Sequence, residues 1–264
     1  MPSHDASRRM KSSATLGGMA DPAAPTSFPR ILPSGVDGLV VRFADTFDDT
    51  ANRAALALRA RIEAERWPEV VETAPALVST LIRFDPLATD REALADRLRT
   101  LLGRDWQQTA PAPRSLMIPA CFDPDLAPQI DEAAEAAGFL SRQAAIDSIC
   151  AADLRVLTIG FAPGQPYIGE LPAPWNLPRQ RSLTPRVPVG ALGVAIRQMV
   201  LFAVETQTGW RHFGQTAMRV FQPGASDAFL LRPGDRLRFQ PVTASALAPL
   251  WDDPLGGARI EDAS

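Results

Sequence analysis

The stretch Thr109-Ala110-Pro111-Ala112-Pro113 places two prolines almost side by side. Proline lacks a backbone N–H and holds φ near about −65°, so neither a helix interior nor a central strand tolerates this spacing. The segment reads as a linker at 109–113, with different hydrophobic patterns on its two sides. A chain of 264 residues is long enough for two domains.

Upstream, residues 1–29 are rich in Ser, Ala and Pro and read as a disordered extension. Order is expected from Arg30. Ile31-Leu32 leads into a turn at Pro33-Ser34-Gly35, and Gly38 to Phe43 is a run of strand formers. Asp48, Asp49 or Thr50 can cap a helix over 52–66, with Ala55, Leu58 and Ile62 at helical spacing and Pro68 beyond it. Strands are predicted over 70–74 and 77–84, then a helix over 91–102 with Thr89 or Asp90 as cap and Gly103 as stop. Strand, helix, two strands, helix describes a small α+β domain over 30–108, ferredoxin-like, with helices on one sheet face.

Downstream, the predicted second domain covers 114–250. It opens with a strand over 114–120 and helices over 125–137 and 142–150. Short strands follow at 155–159, 192–196, 198–204, 218–221 and 237–239, separated by Gly and Pro. That punctuation predicts a mainly β barrel or sandwich. Residues 251–264 read as a C-terminal tail.

Composition removes several function classes. A formal charge of −3 and a pI near 5.5 argue against a general nucleic-acid binder, which needs surplus Lys and Arg. Two cysteines, Cys121 and Cys150, form no disulfide framework and read as small buried hydrophobes. With His4 and His212 the only histidines, no metal site is expected. No run is apolar enough to span a membrane. Arg8-Arg9 lacks the apolar core of an export signal, so the cytoplasm is the expected compartment.

Three segments carry candidate chemistry. Gly160-Phe161-Ala162-Pro163-Gly164-Gln165-Pro166-Tyr167-Ile168-Gly169 follows a strand directly. Its prolines stiffen it, its glycines allow close backbone approach, and Tyr167 is the chain's one phenol. The competing reading is an ordinary turn with its aromatics in the core. Arg179, Arg181 and Arg186 lie in a proline-rich stretch; a guanidinium fork matches a carboxylate. Arg179 and Arg181 read as solvated loop, whereas Arg186 precedes a strand-forming segment and is the one expected to face a barrel mouth. Glu205 to Thr216 reads as a hairpin entering a strand, with Trp210 as a flat wall and His212 as a general base or a structural histidine.

Taken in order, these pieces resemble the family that contains the B subunit of 5-oxoprolinase, allophanate hydrolase subunit 1 and the kinase inhibitor KipI. The resemblance runs from about Arg30 to Val242. It rests on Ile159 to Gly164, Pro166 to Gly169, Arg186-Val187-Pro188 with Gly190, Gly193-Val194-Ala195, Gly209-Trp210 and Leu231 to Asp235. It implies a cyclophilin-like β-barrel of carboxyltransferase subdomain type after a small α/β domain. It implies a partner, the C subunit of 5-oxoprolinase or allophanate hydrolase subunit 2, and a third protein, the A subunit. The assembly would open 5-oxoproline to glutamate with ATP and Mg, the nucleotide held here or by a partner. Phe161, Pro163, Gly164, Pro166, Tyr167, Arg186, Pro188, Gly190, Gln198, Gly209 and Trp210 would bind substrate.

The sequence departs from the family pattern in several places. Gln165 stands for a Phe, Ile149 for a His, Met199 for the Thr of a Gln-Thr-Gly motif, Thr208 for the first Gly of a Gly-Gly-Trp motif, and Gln215 for an Arg. Three functions stay open: a subunit of an ATP-linked amidohydrolase or related carboxyltransferase, a non-catalytic regulator like KipI, and a prolyl isomerase suggested by the barrel alone.

Overall fold

The computed structural model describes residues 27–104 and 113–261. Most of the expected extension, with His4 and Arg8-Arg9, and linker residues 109–112 lie outside them.

The first part is a four-stranded antiparallel sheet in the order β1-β2-β4-β3. β1 (Arg30–Ser34) and β2 (Gly38–Arg42) form a hairpin registered from Arg30↔Arg42 to Ser34↔Gly38. Pro33 and Ser34, expected in a turn, belong to the strand. β1 is an edge, where a missing N–H costs nothing, and the turn is made by Gly35-Val36-Asp37, with Gly35 at φ +61°. Helix α1 (Asp49–Glu65) follows, with the Asp48 carboxylate accepting from Ala51 N. Then come β3 (Val70–Pro75), β4 (Ser79–Phe84) and α2 (Arg91–Leu102), the last capped by Asp90 on Ala93 N. Leu58 and Ile62 of α1 and Leu94 and Leu98 of α2 meet Leu39, Val41, Ile82 and Phe84 in one core. Each such side chain contributes about 1.5–3 kcal/mol when buried.

The second part is an eight-stranded sheet in the order β12-β9-β10-β7-β6-β13-β5-β14. Its strands are β5 (Ser115–Ala120), β6 (Leu154–Ile159), β7 (Pro166–Gly169), β9 (Ala191–Ala195), β10 (Gln198–Leu201), β12 (Arg211–Gln215), β13 (Arg236–Pro241) and β14 (Arg259–Glu261). β13 and β5 run parallel and every other neighbouring pair antiparallel. Cys121, one residue past β5, exchanges backbone hydrogen bonds of 2.8 and 2.9 Å with Gln215 at the end of β12. The sheet therefore curls until its β5 and β12 flanks touch. Helices α3 (Ile130–Ala136) and α4 (Arg142–Cys150) pack against β12 and β13. The core behind them includes Trp175, Phe213, Ile118 and Leu237. A separate ribbon of β8 (Thr184–Val187) and β11 (Thr206–Thr208) accompanies a small apolar cluster of Val187, Ala191, Ala195, Val200, Phe202 and Trp210.

The architecture is thus mixed α/β and mostly sheet. Several expectations shift. The helix placed over 125–137 shrinks to α3, because Pro128 disfavours helical backbone in the residue before it. The strand placed over 192–196 stops at Ala195, since Ile196 and Arg197 take φ of 46° and 60° to turn the chain. The stretch expected to run as a strand to Val204 ends at Leu201. Residues 218–221 form no strand, only a single bridge between Phe221 and Phe229. The expected tail beyond residue 250 instead supplies β14, which covers the open edge of β5. A short helix, α5 (Ala244–Leu247), leads towards it.

The two parts meet at Asn52, which is fully buried. Its side-chain amide donates to Leu77 O at 2.7 Å and Leu157 O at 3.0 Å, and its oxygen accepts from Arg155 at 2.6 Å. Thr158 Oγ adds a 3.0 Å bond to Pro75 O. Among the described residues no helix is long and apolar enough to cross a membrane.

Candidate functional site

Strand register builds the site. Tyr167 of β7 lies opposite Val200 of β10, Val200 opposite Gly193 of β9, and Gly193 opposite His212 of β12. Residues paired across antiparallel strands present their side chains to one face. This row therefore lies on the face away from the main core, which is filled by Ile168, Met199 and Val194. Gly193 is the low point, where an added Cβ would lie 2.7 Å from Phe202 and 3.1 Å from the Trp210 Cβ. Its bareness lets the two aromatics close over the sheet.

A cavity of about 270 Å³ opens on this face. Tyr167 meets Trp210 edge-on, with ring centroids 6.0 Å apart and planes at 67°. The Arg179 guanidinium lies 5.2 Å above the Trp210 ring centroid. Gln180 borders the same space; its backbone N–H donates to Gly209 O at 2.8 Å, and its side chain accepts from Gln129 at 2.8 Å. Gln165 is buried against the wall, its Oε1 accepting from Ala203 N at 3.3 Å. Phe161 stands on the rim, 74 % exposed and at φ 71°. An exposed phenylalanine in the left-handed region is uncommon, and such strain clusters at functional sites.

The family-derived residues separate into groups. Phe161, Tyr167, Gly209 and Trp210 line the cavity. Pro163, Gly164 and Pro166 shape the bend that carries Phe161 and Tyr167. Gly164 takes φ +72°, and a Cβ there would lie 2.9 Å from Val220 O. Gly190 takes φ +79° against Thr216 O and serves to turn the chain into β9. Pro188 is exposed beside it and does not border the cavity. Arg186 was expected at the mouth, yet it is 79 % exposed on β8, paired with Glu205 at 2.8 Å and outside the cavity lining. Gln198 lies opposite Gly169, away from Trp210.

The arginine that does face the cavity is Arg179, which read as solvated loop. Gln180, Thr208 and Phe202 were also missed. The available signal was that Arg179 and Gln180 sit in the same chain segment as Arg186; nothing local says which of them folds back over Gly209-Trp210.

Of the departures, Ile149 and Met199 are fully buried in the main core, so neither removes a polar group from the cavity. Gln165 lines it. Gln215 is buried nearby and donates to Val189 O and Thr216 O at 2.9 and 2.8 Å.

The titratable groups fit a neutral interior. Burial lowers the His212 imidazole below its ordinary value despite hydrogen bonds to Gly214 backbone and the Gln215 side chain. Its Nε2 is buried without a hydrogen-bond partner in the structure. Burial pushes the Cys150 thiol up to about 11 and raises Cys121 as well, so neither is a thiolate at neutral pH. Among the described residues no group of three or more His, Cys, Asp or Glu is placed to hold a metal ion.

The protein is thus a curled, mostly β sheet with an aromatic–arginine cavity on its outer face. Residues 29–231 match the model of the carboxyltransferase domain, subdomain C and D. The chain belongs to that family. It is 27 % identical over 219 residues to the 5-oxoprolinase B subunit of Bacillus subtilis, covering 78 % of this chain and 89 % of that protein. It is 32 % identical over 178 residues to the 5-oxoprolinase B subunit of Escherichia coli O157:H7, covering 66 % and 79 %. Among solved structures, TTHA0988 superposes with a TM-score of 0.68 at 31 % identity, covering 78 % of this chain and 40 % of that one. This chain therefore spans about two-fifths of TTHA0988.

Proposed function

We propose that this chain is one component of a heteromeric, ATP-dependent amidohydrolase of the 5-oxoprolinase type, acting on a small cyclic amide that carries a carboxylate. The observation that carries the reading is the convergence of Arg179, Tyr167 and Gln180 on the Trp210 wall. A flat lactam ring is suited to stacking on an indole. Its carboxylate would be held by the Arg179 fork, which is already oriented by the ring beneath it. The Tyr167 hydroxyl and the Gln180 amide would hydrogen-bond the lactam oxygen and nitrogen. These residues bind and orient; the described residues supply no activated nucleophile.

The reading includes a cyclophilin-like barrel after a small α+β domain and a cytoplasmic setting. It includes two partners, one resembling the C subunit of 5-oxoprolinase (allophanate hydrolase subunit 2) and one resembling its A subunit. The relatives are named as subunits, which supports the need for partners. The open cavity with its exposed Phe161 rim supports closure by another polypeptide, which would exclude water. ATP with Mg is assigned to a partner: the chain has no Gly-Lys-Ser/Thr phosphate loop, and its single lysine is Lys11.

The test is co-expression with the neighbouring subunits and an assay of 5-oxoproline-dependent ATP hydrolysis. Turnover that needs all subunits supports the proposal. A correctly assembled complex without turnover on 5-oxoproline refutes the substrate assignment, and recovery of a histidine kinase in place of enzyme subunits favours a KipI-like regulator.

A further inference from the structure

A second cleft, of about 310 Å³, lies where α1 meets the large sheet. Four arginines line it: Arg53 from α1, Arg155 from β6, Arg197 from the turn before β10, and Arg236 from β13. Three carboxylates face them, those of Asp49, Asp153 and Glu170. Within a chain whose formal charge is −3, this cleft thus holds a cationic excess.

The register sharpens the anomaly. Arg236 lies directly opposite Arg155, Arg155 opposite Gly169, and Gly169 opposite Gln198. Directly opposed side chains have Cβ atoms about 4.5–5.5 Å apart, and like charges in that position are destabilising. Two neighbouring strands therefore hold an unfavourable arginine pair, and the next residue in the row, Gly169, carries no side chain. Local rules broken in this manner mark functional sites.

The existing counter-ions do not resolve it. Arg155 is buried, its side chain 8 % exposed, yet it shares the single Asp49 carboxylate with Arg53. Desolvation works to raise the Asp49 carboxyl, but hydrogen bonds from Arg53 and Arg155 outweigh it and hold it below its ordinary value. Arg197 reaches Glu170 only at 3.4 Å and Arg236 reaches Asp153 only at 3.7 Å, both with solvent-exposed partners. Pairs of that kind contribute about 0–1 kcal/mol and are easily exchanged. The deep end, by contrast, is fixed: Asn52 holds Arg155 while bonding Leu77 O and Leu157 O across the junction. A rigid buried guanidinium at the base, Arg197 anchored through its Nε to Leu171 O at 3.0 Å with its outer nitrogen only loosely paired, and an exchangeable Arg236 make a preorganised receptor for an oxyanion.

We propose that this cleft binds a small dianionic oxyacid, phosphate or a short dicarboxylate, between Arg155 at its base and Arg197 and Arg236 at its mouth. Two negative charges match the two forks that release Glu170 and Asp153. The site is distinct from the Trp210 cavity and stands whether or not the amidohydrolase reading holds.

The test is isothermal titration of the full chain at low ionic strength with phosphate, with succinate, and with chloride as the screening control. Saturable binding of phosphate or succinate, but not chloride, is expected, and whichever binds identifies the class. Arg236→Gln alters an exposed end and should weaken binding at least tenfold with no change in melting temperature, and Arg197→Gln should weaken binding by a similar factor even though it also removes the 3.0 Å bond from Arg197 to Leu171 O. Absence of saturable binding by both dianions, or affinity unchanged in both variants, would overturn the proposal.

Discussion

At the scale of single residues, Phe161 is the sharpest diagnostic. Its side chain is mostly in solvent and its backbone is left-handed, so nothing in the isolated chain is gained by that residue type. Phe161→Gly relieves backbone strain of about 1 kcal/mol. The expected outcome is a melting temperature unchanged or slightly higher, together with weaker assembly or activity of the complex. A clear drop in melting temperature would make Phe161 a structural residue instead. His212 gives a second residue-scale prediction. Desolvation holds its folded-state titration below the ordinary value of 6.5. Below pH 6.5 the unfolded chain takes up a proton that the folded chain refuses, so stability is fully present above that pH and declines as pH falls. The slope is at most about 1.4 kcal/mol per pH unit for one proton. Urea unfolding at pH 7.5 and 5.5 should show this loss, and His212→Gln should shrink it; an identical pH response in the variant contradicts the assignment.

At the scale of elements, Gly193 sets the shape of the cavity floor. Gly193→Ala drives a methyl to 2.7 Å from Phe202 and 3.1 Å from the Trp210 Cβ. Overpacking of this kind costs about 1–3 kcal/mol, read as a lower denaturation midpoint, and should disturb Trp210 fluorescence. Neither change would mean that the aromatics are free to move aside. The sequence made many elements legible because their signals are local. Asp48 and Asp90 do cap helices through their side chains. The strands predicted near 38–43 and 77–84 form as β2 and β4, with Leu39, Val41, Ile82 and Phe84 facing the core. What stayed hidden is tertiary. β14 is three residues long and exists because β5 offers an open edge. The bend was legible in part: Phe161, Tyr167, Gly209 and Trp210 line one cavity, which Arg179 borders and Arg186 does not. Both lie in one proline-rich stretch, and tertiary placement separates them: the chain at Arg179-Gln180 crosses Gly209, whereas Arg186 sits on β8.

At the scale of the whole molecule, a fully buried side chain stands at the centre of the junction between the two parts. Asn52 satisfies two carbonyls from different parts of the chain and one buried guanidinium. Asn52→Ala leaves these groups unpaired at about 1–3 kcal/mol each before relaxation, so a loss of about 2–4 kcal/mol is expected by chemical denaturation. A cost under about 0.5 kcal/mol, the range of an ordinary surface change, would mean that the junction is held elsewhere. The Trp210 cavity and the arginine cleft share strand β7, with Tyr167 at one and Gly169 at the other.

The most direct measurement compares Arg179→Gln with Arg186→Gln in the reconstituted complex, reading kcat/KM for 5-oxoproline-dependent ATP hydrolysis. Losing a charge-assisted pair to the carboxylate is worth about 1.5–3 kcal/mol, so Arg179→Gln should fall at least tenfold, chiefly in KM, while Arg186→Gln stays near wild type. Loss confined to Arg186→Gln, with Arg179→Gln fully active, would contradict placing the substrate against Trp210.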